Sequence, residues 1–179
     1  MIGGAGGTLA TMLTRRGIRV TLVDINPVAF DIARLYFNMP PHVKCHVGDG
    51  AAFLRRDSAR YDAIVLDAFS EEKIPRHFLK TAFFRTVKKR LARGGLFLIN
   101  ITVLDDEDLV PDGICWALRR VWRQVRLLDS EGFENRNAIA MAGAVGNLKR
   151  PRLRMTPTTG ARTLRKELSE LSFRPLREP

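Results

Sequence analysis

Thr21-Leu22-Val23-Asp24-Ile25-Asn26-Pro27 holds the change of pattern on which the fold turns. Residues 19–24 read as a strand, with Gly17 closing the helix before them. Pro27 then opens a helical run over residues 27–37. Asn26 stands where an N-cap belongs, and Pro27 sits in the first turn, where its missing N–H has no helical partner to lose. Upstream, Gly3-Gly4-Ala5-Gly6-Gly7-Thr8 leads into a helix over residues 9–15. The unit is therefore a glycine loop, a helix, a strand ending in an acid, and a second helix.

The alternation continues downstream. Strands are expected over residues 43–47, 62–66 and 96–101, and helices over 50–56, 75–91 and 107–122. Asp62-Ala63-Ile64-Val65-Leu66 is apolar enough to be buried on both faces, as parallel strands are. Residues 124–128 and 138–142 follow as two strands with no helix between them, so the turn around Glu134-Asn135-Arg136 pairs them antiparallel. The expected fold is α/β: a Rossmann-like, class I methyltransferase-type open sheet, mostly parallel, with an antiparallel last strand. Its first strand reads as truncated, because only Met1 and Ile2 precede the glycine loop. A central strand left out would strand its neighbours' backbone groups. The expectation is that the native polypeptide begins upstream.

Composition bounds the rest. With 179 residues, 45% hydrophobic and 27% charged, the chain reads as one globular domain. No apolar run approaches the roughly 20 residues that span a bilayer, and the N-terminus carries no signal-peptide pattern. No membrane association is expected. Cys45 and Cys115 lie 70 positions apart and read as buried thiols, which fits a reducing cytoplasm. A nucleoside-binding domain is expected over residues 1–143 and a basic C-terminal extension over 144–179. That extension holds nine Lys/Arg against three Asp/Glu within a formal charge of +11. Without interleaved aromatics it reads as a solvated tail in preference to a nucleic-acid contact.

Three acids end three successive strands. Asp24 stands 18 residues after Gly6, where a carboxylate accepts hydrogen bonds from ribose hydroxyls. Asp49, in Gly48-Asp49-Gly50, can accept from an adenine amino group, with Ala51 and neighbouring N–H groups meeting the ring; it can equally cap the helix over 50–56. Asp67 should point into the cleft and is the acid placed to deprotonate a nucleophile. The expected nucleoside-binding set is Gly3, Gly4, Gly6, Asp24, Ile25, Asp49, Gly50, Ala51 and Asp67, with Asp67 catalytic and no metal. His42, His46 and His77 lack metal-ligand companions and read as structural or solvated; Trp116, Trp122 and Tyr61 read as packing residues.

Gly3 to Leu9, Thr21 to Pro27, Gly48 to Leu54, Tyr61 to Asp67, Ile74-Pro75 with Phe83-Phe84, and Gly94-Gly95 with Asn100 together resemble the polyamine aminopropyltransferases, the spermidine synthase family. The resemblance covers roughly the first 100 residues in order. It implies Asp24 on the ribose, Asp49 on the adenine, and Asp67 as the acid that activates an acceptor amine. The departures are specific. Gly6 stands where the family carries an Asp in its glycine loop, and Ser70 and Glu71 stand in place of a second Asp and a Pro. The family's N-terminal β-domain is absent from this sequence.

The resemblance implies aminopropyl transfer from decarboxylated S-adenosylmethionine to a small-molecule amine. With Gly6 in place of an acid, discrimination against the carboxylate of intact S-adenosylmethionine weakens, so either co-substrate is admitted. Two alternatives stand beside it: a methyltransferase acting on a small molecule or on RNA, and a non-catalytic nucleoside-binding homologue. Small-molecule amine is the favoured partner over nucleic acid, and a homodimer is compatible with the reading.

Overall fold

A computed structural model describes every residue of the chain except Ala5, Glu72 and Pro179. Its sheet is assembled around the shortest of strands. β1 (Thr21–Asp24) and β2 (Lys44–Val47) pair in parallel, with Thr21 opposite Lys44 and Asp24 opposite Val47. β3 (Tyr61–Leu66) and β4 (Leu91–Val103) also pair in parallel, in steady register from Ala63 opposite Leu96 to Leu66 opposite Ile99. Between β1 and β3 lies a single rung, Ile2, bridged in parallel to Val23 and to Leu66. Ile2 N–H donates to Val65 O at 2.8 Å, Asp67 N–H to Ile2 O at 2.8 Å, and Gly3 N–H to Val23 O at 2.9 Å. Those backbone bonds join two sheet halves that would otherwise be separate. Below Met1 the gap between β1 and β3 leaves a mostly apolar cavity of about 20 Å³, walled by Phe53, Tyr61 and Ile64.

The end of the sheet reverses as expected. β5 (Val125–Asp129) and β6 (Arg136–Gly143) form a hairpin, and β6 inserts between β4 and β5, antiparallel to both. One strand was not foreseen: β7 (Ser172–Arg174) adds antiparallel to the outer edge of β5. Three residues are too few to show a period of two, so only the edge of β5 reveals it.

Around the sheet lie α1 (Thr8–Arg15), α2 (Pro27–Tyr36), α3 (Gly50–Arg56), α4 (Thr81–Arg90), α5 (Val110–Arg119) and α6 (Ala161–Glu170). Asn26 caps α2 by accepting from Val28 N–H at 3.1 Å. Two expected helices are shortened. The run over 75–91 splits into a 3-10 turn, Arg76–Leu79, and α4, with extended Lys80 between them. The break lets Phe78 and Phe83 meet edge-on at 5.0 Å in the core, and apolar spacing alone does not record it. The run over 107–122 begins only at Val110. Asp105 takes the N–H groups of Glu107 and Asp108, and Asp108 takes that of Val110, so the acids hold turns there. Trp122 lies beyond the helix end yet stacks on Phe97 at 5.9 Å.

Phe84, Phe97, Ile99, Leu118 and Leu127 are completely buried at the centre of the main core. Both cysteines are free thiols, Cys45 half-buried and Cys115 buried; burial pushes the Cys115 thiol up to about 12. The C-terminal segment is not simply a solvated tail: Val145 is completely buried, Leu148, Leu171 and Phe173 pack around it with Leu128 and Met141, and Leu176 packs on the main core. Arg174 is buried, with its guanidinium bonded to Asp112 at 2.8 and 2.9 Å and to Asp129 at 2.9 Å. Among the described residues, no helix is long and apolar enough to cross a membrane.

Candidate active site

Ligands of open α/β sheets sit beyond the carboxyl ends of the strands. Here the glycine loop, Asp24, Asp49 and Asp67 come to that edge side by side, because Ile2 holds β1 and β3 together. The chain enters this edge through Gly3, at φ +74°. A Cβ there would lie 2.2 Å from the Asp67 carbonyl oxygen, so only glycine fits. Gly4 is pressed against Leu22 and Gly50 against Ile2, which gives both a packing role. Gly6 is open by comparison: a Cβ there would come no nearer than 3.6 Å to the Phe37 ring. Gly7 starts α1 without any side-chain cap, and no acid lies in the first turn of that helix. The first N–H groups of α1 are therefore left facing the loop.

Asp24 ends β1 half-buried. Its Oδ1 accepts from Asn26 N–H at 2.9 Å, which turns the chain into α2, and its other oxygen makes no hydrogen bond among the described residues. Beside it the Ile25 side chain is 75% exposed, an apolar surface open at the mouth. Asp49 has both oxygens engaged. Oδ1 caps α3 through Ala52 N–H at 2.7 Å, and Oδ2 lies 2.9 Å from His77 Nε2. Gly50 and Ala51 open α3, where first-turn N–H groups have no helical partner. The Ala51 side chain itself is buried.

Asp67 follows β3 and is half-buried. Asn100 Nδ2 donates to its Oδ1 at 2.9 Å, and Oδ2 makes no hydrogen bond among the described residues. Ser70 and Lys73 exchange backbone hydrogen bonds at 2.8 and 3.0 Å, and Glu71 has φ +49°. Asp105 to Asp108, four consecutive acids, follow β4 at the same edge. Among the described residues, no group of three or more His, Cys, Asp or Glu side chains is placed to hold a metal ion.

Two residues gained a place that sequence reasoning did not assign. His77, read as structural or solvated, is the partner of Asp49. Asn100, quoted only as part of a motif, orients Asp67 because Leu66 pairs with Ile99 and sets the following residues side by side. The sequence carries no signal for either contact; strand register decides both.

The reversal of β6 separates this sheet from the all-parallel dinucleotide-binding kind and places the chain among class I methyltransferase-like domains. Residues 1–105 match the spermine/spermidine synthase domain, and the chain belongs to that family. It is 31% identical over 108 residues to a probable polyamine aminopropyl transferase of Bifidobacterium longum, covering 59% of this chain and 24% of that protein. It is 32% identical over 107 residues to a polyamine aminopropyltransferase of Vibrio vulnificus, covering 56% and 36%. The chain thus aligns with about a quarter to a third of the length of these relatives. Among solved structures, a probable spermidine synthase of Corynebacterium glutamicum superposes with a TM-score of 0.75 at 21% identity, covering 98% of this chain and 65% of that one. Human methyltransferase-like protein 13, solved in complex with SAH, superposes with a TM-score of 0.68 at 20% identity, covering 94% and 78%. Both likenesses are of fold.

Proposed function

We propose that the chain transfers an aminopropyl group from decarboxylated S-adenosylmethionine to a small amine. The observation that carries this reading is Asp67: half-buried at the cleft edge, held by Asn100 through one oxygen and open at the other. A sulfonium donor supplies an electrophilic carbon, whose bond to sulfur breaks as the amine nitrogen attaches. Asp67 receives the proton that the nitrogen loses, and Asn100 fixes the direction of the carboxylate. Asp24 offers its free oxygen to a ribose diol, and Ile25 offers an apolar surface beside it. Asp49 reaches an adenine amino group only by sharing the oxygen that His77 now holds.

Charge supports a cationic acceptor despite the formal +11. Asp24, Asp49, Asp67, Glu71 and the acids from Asp105 to Asp108 all follow strands at the cleft edge. The mouth is therefore acidic although the molecule is basic. The relatives named as polyamine aminopropyltransferases support the same chemistry. The two free thiols fit a reducing cytoplasm, where we place the protein.

One observation favours a second reading, methyl transfer from intact S-adenosylmethionine. The uncapped start of α1, with no acid in its first turn and Gly6 before it, suits a carboxylate on the donor. Calorimetric titration with intact S-adenosylmethionine, its decarboxylated form and methylthioadenosine separates the two. Preference for the decarboxylated form, followed by aminopropyl transfer to putrescine, is the expected result. Preference for the intact donor with methyl incorporation would overturn it.

A further inference from the structure

Helices of an α/β unit run back against the strands they follow, so their C-termini gather at the amino edge of the sheet, opposite the cleft. Four of them end alike. α1 ends in Arg15 and Arg16, and α3 in Arg55 and Arg56. α4 ends with Lys88, Lys89 and Arg90, and α5 with Arg119 and Arg120. A further exposed arginine follows each within three or four residues, as Arg93 and Arg123 do.

Hydrogen bonds make the last three of these ends one continuous surface. Arg90 Nε donates to Leu54 O at 2.9 Å and Arg60 Nη1 to Leu91 O at 3.2 Å, tying the ends of α3 and α4 together. Lys88 Nζ donates to Val121 O at 2.6 Å, tying α4 to the end of α5. Across residues 55–62, 88–93 and 119–124 there are ten Lys/Arg against two acids, and one of those, Asp57, is occupied by the Tyr61 hydroxyl. A cation at a helix C-terminus complements the macrodipole, but that effect is confined to the last turn and falls short of this number.

We infer that this amino edge is a docking surface for the phosphate backbone of a nucleic-acid duplex. Eight of the ten cations are arginines, whose planar fork matches a phosphate in two bonds. No large apolar side chain in these segments is exposed, which removes the anchor that a bilayer or an apolar protein interface needs. None of the exposed aromatic residues lies there either, so no stacking platform for the bases of a single strand is present. What remains is contact with charge at regular spacing, independent of sequence. The surface lies opposite the cleft and does not depend on the reaction proposed for it.

The test is fluorescence anisotropy of a labelled duplex of about 20 base pairs, titrated with the whole chain at several salt concentrations. Tight binding at low salt, indifferent to sequence and steeply weakened by salt, is expected. Replacing Arg55, Arg56, Lys89 and Arg120 together with Gln should weaken binding at least about tenfold and reduce the salt slope by about 4, with the melting temperature unchanged. Replacing Arg150, Arg152 and Arg165, which line the other basic hollow beside α6, should leave the affinity unchanged. Loss of binding in that second variant, equal affinity for a single strand, binding to phosphatidylserine vesicles alone, or no binding at low salt would each overturn the inference.

Discussion

In the proposed reaction Asp67 is the general base, held in direction by Asn100 through Oδ1 while Oδ2 makes no hydrogen bond among the described residues. Asp67→Asn should lower turnover at least about a hundredfold while leaving nucleoside affinity nearly intact, as single-turnover kinetics and calorimetry would read. An unchanged rate would remove Asp67 from the chemistry. In the proposed reaction Asn100 acts through Asp67, so Asn100→Ala should lower kcat more than it raises KM, and Asn100→Gln should recover less of the rate than of the KM. In the same proposal Asp24 acts on binding instead. Removing a charged acceptor of this kind costs about 1.5–3 kcal/mol, so Asp24→Ala should weaken methylthioadenosine binding about 10- to 150-fold. The three acids were legible in the sequence because each ends a strand just before a turn. Their partners were not, since Asn26, Asn100 and His77 reach them by a turn, a register and a tertiary contact respectively.

At the level of elements, the C-terminal strand is held by charge more than by area. Burial by itself would raise the Asp112 and Asp129 carboxyls. The hydrogen bonds from Arg174 to both, and from Arg136 to Asp129, outweigh it and hold them below the usual carboxylate range. A carboxyl lowered by folding contributes stability above its unfolded pKa, about 3.9, and loses it as pH falls through the folded value. Acid should therefore release β7 first, visible as lost amide protection over Ser172–Arg174 before global unfolding. Arg174→Met leaves Asp112 with no basic side chain bonded to it in the interior, and should cost about 3–5 kcal/mol in denaturant titrations at neutral pH. The gap from the parent chain should narrow toward pH 4, as the unpaired Asp112 carboxyl protonates, Asp129 keeping its pair with Arg136. Elsewhere the elements followed local rules. The caps of α2 and α3 fall on Asn26 and Asp49, as expected from residue type. The split before α4 was hidden, because Phe78 and the pair Phe83-Phe84 keep an apolar spacing across the break.

The whole molecule is electrically polar along the strand direction, with acids following the strands and bases ending the helices. A net charge of +11 would by itself repel a polycationic acceptor; the distribution of that charge argues for one. Fields of this kind raise association rates and are screened by salt, over about 8 Å at physiological strength. The kcat/KM for a polyamine should accordingly fall as salt rises, while affinity for uncharged methylthioadenosine stays level. A salt-independent kcat/KM would mean that the acidic mouth does not steer the acceptor.

The alternation of strands and helices as far as β6, the parallel sheet with its reversed ending, and the three acids at strand ends were determined by the sequence alone. Each depends on local signals: a period of 2 or 3.6, a capping residue, a glycine or a proline, all within a few positions. Only the tertiary structure decided how the sheet closes on the single rung of Ile2, which side chains hold Asp49 and Asp67, and that Arg174 is buried between Asp112 and Asp129. Those contacts join residues from 21 to 64 positions apart in the chain. Pairing at such separation is set by strand register and by the cost of an unpaired buried charge, and neither has a signature in any short stretch of residues.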